Sequence, residues 1–407
     1  MSSLVSNLKL EGVLSSPSTR KDVPAEACQD KSIFIAEDRL AVRQTAWDSP
    51  GQAAYDFRSD YVTSPNGAML SSIINTSLLD DVMKEDPTTN SFQDFMARLT
   101  GHEDSLLVMS GTMGNQVALR TALPAPPYSI LCDSRSHILG MEAGGPATLC
   151  GALLEGVFPC NGHHLTIEDV KKHATLREDV YDCPTRIISL ENTLSGTIMP
   201  LEDIRVISSW ARSQNPPIHM HLDGARLWEA VAAGAGSLKA YTSCFDSVSL
   251  CFTKGLGAPI GSIVIGSSSF IKRARWMRKL LGGGIRAAGI VSAPARVAVE
   301  HVFLGGHLRA SQDSAKQLSK LWLSLGGKLQ YPTETNMIWL DLDAAGIDKE
   351  RFADLAQNAG VKTMRGRLQG RLIIHYQICD HALHVLADLF VSLLAGNGGS
   401  IAKNNEG

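Results

Sequence analysis

The stretch IHMHLDGAR, residues 218–226, is a short apolar strand that ends in an aspartate. Similar short apolar runs recur along the chain at 105–111, 129–134, 186–192, 247–252 and 262–266. Helical patterns separate several of these runs, and such alternation predicts an α/β fold with a mostly parallel sheet. Sheets of this kind bind their ligands at the carboxyl ends of the strands. The residues that follow each run are therefore the candidates for function.

Three helix starts carry sequence signals. Ser91 with Asp94 is predicted to cap one helix, and Thr166 with Asp169 is predicted to cap another. A third helix is expected directly after Pro200.

The pattern changes after about residue 300. A helix is predicted at 307–326, strands at 336–342 and 370–378, and a closing helix at 381–396. These elements predict a separate, smaller α/β domain at the end of the chain.

A chain of 407 residues exceeds what one compact core usually holds, so two domains are expected. The predicted division is a poorly ordered extension at 1–50, an arm and large domain at 51–300, a small domain at 301–395, and a disordered tail at 396–407.

The composition is that of an ordinary globular protein, with 44% hydrophobic and 19% charged residues. A formal net charge of −3 and the lack of a Lys/Arg block give no electrostatic footprint for nucleic acid or for an anionic membrane. The expected partner is a small, neutral or zwitterionic molecule.

The eight cysteines are scattered without a CxxC pair, which predicts reduced thiols and no metal site. The start of the chain lacks the apolar core of a secretory signal, and no later run is long enough to span a bilayer. A cytoplasmic location is expected.

Chemistry-bearing residues follow four of the apolar runs. Lys254 follows one strand, Asp223 ends another, His137 comes after a third, and the Gly-containing turn 110–115 opens a helix. An amine, a carboxylate, a flat imidazole and an anion cradle are what pyridoxal phosphate requires. Each signal alone has an ordinary structural alternative: a solvated lysine, a helix cap, a structural histidine and a common βα turn. Their order and spacing together are more specific.

A basic, glycine-rich segment contains Lys279, glycines 282–284 and Arg286. It is a candidate for further phosphate contacts, with a flexible solvated turn as the alternative.

From Asp56 to about Gln377 the chain resembles the low-specificity L-threonine aldolases, which are fold-type-I pyridoxal-phosphate enzymes, and in particular their fungal branch. The matching motifs are DFRSDYVT (56–63), EDPT (85–88), SGTMGNQVALRT (110–121), CDSRSHI (132–138), SLENTLSG (189–196), HLDGAR (221–226), KGLGAPIGS (254–262), GGGIRAAG (282–289) and RLIIHYQ (371–377). The resemblance implies a large αβα domain with a small C-terminal α/β domain, and a homotetramer whose active sites lie at subunit interfaces.

The resemblance also implies roles for individual residues. Those that would hold the cofactor are the Schiff-base lysine Lys254, the pyridinium partner Asp223, the ring-stacking His137, the phosphate ligands Gly111 and Thr112, Asn192 beside the ring oxygen, and Arg226. Lys279 and Arg286 would reach the phosphate from a neighbouring subunit. Ser59, Arg226 and Arg371 would bind the substrate carboxylate, since a guanidinium pairs with it through two hydrogen bonds.

The chain departs from the aldolase pattern on the substrate side. Met83 replaces a tyrosine, Tyr181 replaces a histidine that handles the substrate's β-hydroxyl, Met141 replaces a polar or aromatic residue, and Tyr61 replaces a threonine. Aldol cleavage needs a base at that hydroxyl, and tyrosine is a poor one at neutral pH. Neutral drift around an aldolase that recruits water or His137 is the alternative.

Some fungal members of this family are alanine racemases that supply D-alanine to peptide-synthesising assembly lines of secondary metabolism. Racemisation requires removal and return of the α-proton, for which Lys254 with Tyr181 or His137 is suited. The leading prediction is therefore an alanine racemase, an isomerase. The alternatives are a threonine or allo-threonine aldolase, a lyase that releases glycine and acetaldehyde, and an inactive scaffold with the same fold.

Overall fold

The computed structural model describes residues 45–395. The poorly ordered extension predicted at 1–50 lies outside this range except for residues 45–50, and the disordered tail predicted at 396–407 lies outside it entirely. Within it, the strands are β1 Asp104–Val108, β2 Ser129–Asp133, β3 Leu153–Val157, β4 Thr185–Glu191, β5 His219–Asp223, β6 Ser247–Cys251, β7 Ser262–Gly266, β8 Met337–Trp339 and β9 Arg371–Ile373.

The α-helices of this part of the chain lie before, between and after the strands. They are α1 Gly67–Ile74, α2 Pro87–Thr100, α3 Gly111–Ala122, α4 His137–Gly140, α5 Gly145–Cys150, α6 Ile167–His173, α7 Leu201–Arg212, α8 Leu227–Ala232, α9 Leu238–Thr242, α10 Ser268–Leu280, α11 Gly289–Val297, α12 His307–Ser324, α13 Lys349–Asn358 and α14 Asp380–Ala395. A π-helical turn, Ala298–Phe303, continues α11, and short 3-10 turns lie at Gly51–Tyr55, Asp60–Val62 and Gly366–Leu368.

Among residues 45–395, seven strands form one sheet in the order β1-β7-β6-β5-β4-β2-β3. β7 runs antiparallel to both of its neighbours, and the other paired strands are parallel. The predicted α/β fold is confirmed. Because β2, β4, β5 and β6 point the same way, their carboxyl ends meet at one edge of the sheet, where α3 also begins.

The buried strands were predicted because they are continuous apolar runs, which strands covered on both faces require. β2, β6 and β7 are buried along their whole length. The prediction missed β3, whose sequence LLEGV contains a glutamate and a glycine. β3 lies at the sheet's edge and is partly exposed, so its sequence lacks the apolar run that marks the others.

The helix starts were predicted with mixed success. The capping box of Thr166 and Asp169 is confirmed at the start of α6. The cap predicted at Ser91 is wrong, because α2 begins one turn earlier: Asp86 accepts a hydrogen bond from the Thr89 amide, and Pro87 occupies the first turn. A proline at that position is favourable, since its missing N–H would have no helical partner.

The main apolar core lies between the seven-stranded sheet and its helices. A second cluster of buried side chains surrounds Trp322, Phe352 and Phe390, and it includes Phe57 from the start of the described chain. β8 and β9 form a small antiparallel sheet there. The predicted division into domains near residue 300 stays a prediction. No helix within residues 45–395 is both long and apolar enough to cross a membrane.

Candidate active site

A cavity of about 200 Å³ opens at the carboxyl edge of the large sheet. It is lined by Met109, Ser110, Gly111, Thr112, Asn115, His137, Asp223, Ala225, Cys251, Thr253 and Lys254. The structure thus brings together the residues that follow four strands, as the sequence predicted for this edge.

Lys254 lies three residues beyond the end of β6, in the turn that leads to β7. The turn is fixed because Gly255, with φ at +71°, donates its amide to the Asp60 carbonyl at 3.0 Å. Among residues 45–395 the Lys254 amine has no hydrogen-bond or ion-pair partner. A free amine that lines a cavity is suited to bind an aldehyde.

Asp223 is the last residue of β5 and is buried. One carboxylate oxygen accepts from Asn115 Nδ2 at 2.8 Å, and the other accepts from the Ala225 amide at 3.1 Å. The alternative of a helix cap does not apply, because α8 begins with Arg226 at its N-cap and has no side-chain cap. Asp223 is therefore a buried carboxylate at a cavity that has no basic partner among residues 45–395, as a pyridinium nitrogen requires.

The amino end of α3 forms the side of the cavity where the phosphate is predicted to bind. Ser110 caps this helix by accepting from the Met113 amide at 3.1 Å, and Gly111 and Thr112 form its first turn. A buried hydroxyl without a partner, that of Ser262, lies 3.7 Å from the position a Cβ on Gly111 would take. First-turn amides and hydroxyls of this kind bind phosphate.

His137 is half-buried and paired with a buried glutamate. Its Nδ1 lies 2.8 Å from an oxygen of Glu142, and this hydrogen bond raises the pKa of His137 above its ordinary value, although burial opposes the shift. Glu142 also accepts from Asn115 at 2.8 Å and from Gln116. A histidine held by a carboxylate in this way is a typical acid–base pair.

Glu191, at the end of β4, accepts the His137 backbone amide at 2.8 Å. Burial raises the pKa of Glu191 to about 8, and the neighbouring charge of Asp223 adds to the shift. Glu191 is thus held largely neutral at pH 7 beside the charged site. Within residues 45–395, His137, Glu142 and Asp223 also bring three ligand atoms within 4.8 Å of one another, an arrangement that can hold a metal ion. The expected lack of a metal stays a prediction.

Three predicted carboxylate-binding residues differ in what they already bind. Arg226 forms two hydrogen bonds of 2.7 and 2.6 Å with buried Asp60, and Ser59 is within 3.5 Å of the same guanidinium. Arg371 donates to the Arg58 carbonyl at 3.0 Å, while its Nε is buried without a partner. Burial and the charge of Arg226 lower the pKa of Arg371. Arg371 is therefore the guanidinium with capacity left for a carboxylate ligand.

The small sheet that carries Arg371 is fastened to the loop after β4. Trp339 on β8 donates its indole N–H to the Ser195 carbonyl at 2.8 Å, and its ring lies 5.9 Å from the Arg371 guanidinium. The Thr335 hydroxyl donates to the Gly196 carbonyl at 2.7 Å. We call these contacts the seam.

Seven predicted site residues are not among those that line the cavity. They are the three carboxylate-binding residues described above, Ser59, Arg226 and Arg371, together with Tyr181, Asn192, Lys279 and Arg286. Tyr181 is 93% exposed, between α6 and β4. Lys279 lies at the end of α10, and Arg286 is exposed and paired with Asp80. The side chain of Asn192 is buried and bonded to the backbone of Met199. The reach of Lys279 and Arg286 into a neighbouring subunit stays a prediction.

Sequence reasoning missed Asn115 and Glu142, which connect the predicted residues. Asn115 lies in the quoted motif at 110–121, one helical turn after Gly111, and that spacing places it on the cavity side of α3. Glu142 had no comparable signal, because a glutamate five residues after a histidine is ordinary in any sequence.

Taken together, these groups fit pyridoxal phosphate. The set contains an unpartnered amine, a buried carboxylate without a basic partner, a helix start with an unpaired hydroxyl nearby, and an imidazole at the same cavity.

Comparison with known proteins agrees with this geometry. A family model described as beta-eliminating lyase matches residues 56–345. The aldolase vrtJ of Penicillium aethiopicum is 53% identical over 86% of this chain and 89% of its own length. The alanine racemase TOXG of Cochliobolus carbonum is 44% identical over 87% and 91%. The low-specificity L-threonine aldolase of Candida albicans is 43% identical over 81% and 87%.

Solved structures share the fold at low identity. The threonine aldolase of Leishmania major superposes with a TM-score of 0.71 at 19% identity, over 84% of this chain and 99% of that one. The serine palmitoyltransferase of Sphingomonas wittichii gives 0.65 at 16% identity, over 84% and 88%. The predicted fold-type-I architecture is confirmed. The chain belongs to the beta-eliminating lyase family and is a pyridoxal-phosphate-dependent enzyme of amino acids, related to the fungal threonine aldolases.

Proposed function

We propose that this enzyme cleaves the Cα–Cβ bond of a small β-hydroxy-α-amino acid of the threonine or allo-threonine type, releasing glycine and acetaldehyde. The observation that supports this function is the His137–Glu142 pair, which shares its cavity with Lys254. Cleavage requires a base for the β-hydroxyl proton. The family usually has a histidine for this step where this chain has Tyr181, and His137 supplies the base instead.

Lys254 would hold the cofactor aldehyde, Asp223 its ring nitrogen, Gly111 and Thr112 its phosphate, and His137 would cover its ring. The bound cofactor supplies an electron sink conjugated with the substrate's α-carbon. Arg371 holds the substrate carboxylate, because its Nε is buried and has no partner among the described residues. Arg226 and Ser59 have a smaller part in this step, since Asp60 already occupies the guanidinium.

His137 takes the proton from the substrate's β-hydroxyl. Nδ1 is engaged by Glu142, so Nε2 is the nitrogen available to the substrate. As the Cα–Cβ bond breaks, the β-carbon leaves as an aldehyde and the electron pair stays on the α-carbon. A proton returned to that carbon, from Lys254 or His137, gives glycine.

Alanine racemisation is the second candidate, and the relative TOXG, an alanine racemase at 44% identity, favours it. The sequence favoured racemisation over aldol cleavage, with Tyr181 or His137 as the second proton carrier beside Lys254. In the described chain Tyr181 is exposed and does not line the cavity. Racemisation would therefore use Lys254 and His137, one taking the α-proton and the other returning it. A racemase role would include supply of D-alanine to peptide secondary metabolism.

A homotetramer in the cytoplasm is part of the same proposal. In the described part of the chain several large apolar side chains are exposed, among them Ile74, Leu78, Phe158, Trp276 and Leu280. Contacts with further copies of the chain would bury such side chains. Active sites shared between subunits would bring Lys279 and Arg286 to the phosphate. Light scattering during size-exclusion chromatography measures the mass of the protein in solution. A mass equal to that of one chain would contradict the proposed tetramer.

The decisive experiment supplies L-threonine, L-allo-threonine and L-alanine separately to the cofactor-loaded enzyme in deuterium oxide. Acetaldehyde and glycine from either threonine, without loss of optical rotation from alanine, is the expected result. Loss of rotation with α-deuteration of alanine, and no acetaldehyde, would establish the racemase instead. If neither reaction occurs, the inactive scaffold is the remaining interpretation.

A further inference from the structure

A chain of hydrogen bonds runs along β5 to the candidate active site. His219 Nε2 lies 2.8 Å from Ser247 Oγ, and Ser247 Oγ lies 2.8 Å from His221 Nδ1. His221 Nε2 is 3.2 Å from Asn115 Oδ1, and Asn115 Nδ2 is 2.8 Å from Asp223. His219, His221 and Asp223 alternate along one strand, so they share a face of the sheet.

Asn115, at the end of this hydrogen-bond chain nearest the cavity, determines which atom donates in each of its bonds. Asn115 Nδ2 faces two carboxylates, Asp223 and Glu142, both at 2.8 Å, so both of its N–H groups donate there. The reversed amide would place its oxygen against two negative groups. The Asn115 oxygen therefore faces His221, and since a carbonyl only accepts, His221 carries its proton on Nε2.

The remaining links follow from His221. Burial lowers the pKa of His221 to about 3 and that of His219 to about 4, so both rings are neutral. With its proton on Nε2, His221 has a bare Nδ1, which must accept from the Ser247 hydroxyl. The Ser247 oxygen then accepts from His219 Nε2–H. All donors in the chain point the same way, toward the carboxylates.

We propose that this chain, from His219 through Ser247, His221 and Asn115, is a positioning device that holds the Asp223 carboxylate charged and aimed at the cofactor's ring nitrogen. The inference rests on the proposed placement of Asp223, and it is independent of the choice between aldolase and racemase. Hydrogen bonds that donate to a carboxylate favour its charged form, and aligned bonds in a dry interior strengthen one another.

Asn115 also connects two parts of the site, because its Nδ2 donates to two carboxylates. One N–H holds Asp223 and the other holds Glu142, which in turn holds His137. The Asn115 amide thus sets the spacing between Asp223, the proposed partner of the cofactor ring nitrogen, and the His137–Glu142 pair, which moves protons. Neither histidine on β5 lines the cavity, so their effect on the reaction is indirect.

The test compares two cofactors on the full-length enzyme after its own cofactor has been removed. One is pyridoxal phosphate, and the other is its 1-deaza analogue, in which C–H replaces the ring nitrogen. The variants are Asn115→Ala and Ser247→Ala. The control is Ser208→Ala, a change of an equally buried serine that donates to the Cys244 carbonyl outside the chain. The measured quantity is each dissociation constant.

We expect Asn115→Ala to weaken binding of pyridoxal phosphate about 10- to 100-fold, the usual effect of losing a hydrogen bond to a charged group. Ser247→Ala is expected to weaken it by roughly threefold or more, because the bare Nδ1 of His221 loses its hydrogen-bond donor. Both variants should bind the deaza analogue nearly as the wild type does, and Ser208→Ala should bind both cofactors normally.

Equal losses for both cofactors would show a general disturbance of the pocket and would overturn the proposal. Unchanged binding of pyridoxal phosphate by both variants would also overturn it. If Asn115→Ala does not fold, Ser247→Ala, which lies away from the cavity, decides the question. A wild-type enzyme that binds both cofactors equally would instead show that Asp223 does not contact the ring nitrogen, a failure of the placement itself.

Discussion

The two sides of the cavity differ in how completely one chain builds them. On the cofactor side, Asp223, Asn115 and Glu142 are buried and bonded to one another. On the substrate side, the positions where the chain departs from the aldolases are exposed: Met83 is 68% and Met141 55% exposed. The part of the site around the cofactor ring is therefore built within one chain, whereas in the proposed tetramer substrate choice would depend on surfaces that further subunits complete.

The largest effect is expected for Lys254→Ala on the cofactor side. Loss of the amine removes the attachment of the cofactor and a proton carrier, so activity should fall more than about a thousandfold. The long-wavelength absorbance of the bound cofactor should disappear at the same time. Lys239→Ala, a lysine near Gly101 and away from the cavity, is the matched control. Retained absorbance in Lys254→Ala would show that another amine holds the cofactor.

His137→Phe sharpens the comparison, because it keeps a flat ring but removes the base. Activity toward threonine should fall about 100-fold or more, as is usual when a general base is lost. Cofactor binding, measured by titration of the apoenzyme, should change little. Activity close to the wild-type level would show that His137 is not the base, and that water or a group from a second subunit takes the proton instead.

Glu142→Gln tests the pH dependence of the same pair. The hydrogen bond from Glu142 raises the pKa of His137, and only the neutral imidazole is a base. The wild-type enzyme should therefore lose kcat/KM as the pH falls through this raised pKa. In the variant the pKa is lower, so the acid limb should move to lower pH. An unmoved limb would assign it to another group.

The Glu142→Gln variant should fold normally. Gln116 Oε1 is buried without a partner, so the Gln116 amide can turn and accept from the new side-chain N–H. Circular dichroism and the unfolding midpoint check this directly.

The smallest effect is expected for Tyr181→Phe on the substrate side. An exposed hydroxyl outside the cavity should change activity by less than about twofold and the free energy of unfolding by less than about 0.5 kcal/mol. Both are measured on the purified variant beside the wild type. A loss of alanine racemisation alone would break the comparison, since Tyr181 would then reach the site from a neighbouring chain.

The cofactor side could be predicted from the sequence because its residues follow strands that are easy to recognise. Lys254 and Asp223 each end a continuous apolar run, and parallel topology brings such ends together. β3 could not be predicted in this way, since an edge strand is buried only in part.

The bonds among these residues could not be predicted. Asn115 and Glu142 act through contacts between separate elements, α3 and the segment after α4, and local sequence does not encode that proximity. The commitment of Arg226 to Asp60 has the same origin, because the partners are 166 positions apart. Residue types alone could not show that, among residues 45–395, Arg371 keeps a buried N–H without a hydrogen-bond partner.

The seam has a mechanical consequence. Trp339 and Thr335 tie the small sheet to the Ser195–Gly196 turn, and Arg371 lies on that sheet against Trp339. A ligand that drew Arg371 inward would also pull on this turn, because Trp339 contacts the Arg371 guanidinium and donates to the Ser195 carbonyl. Binding of an amino acid at Arg371 would then be transmitted to the strand that ends in Glu191, whose carboxylate accepts the His137 backbone amide, before any bond is broken.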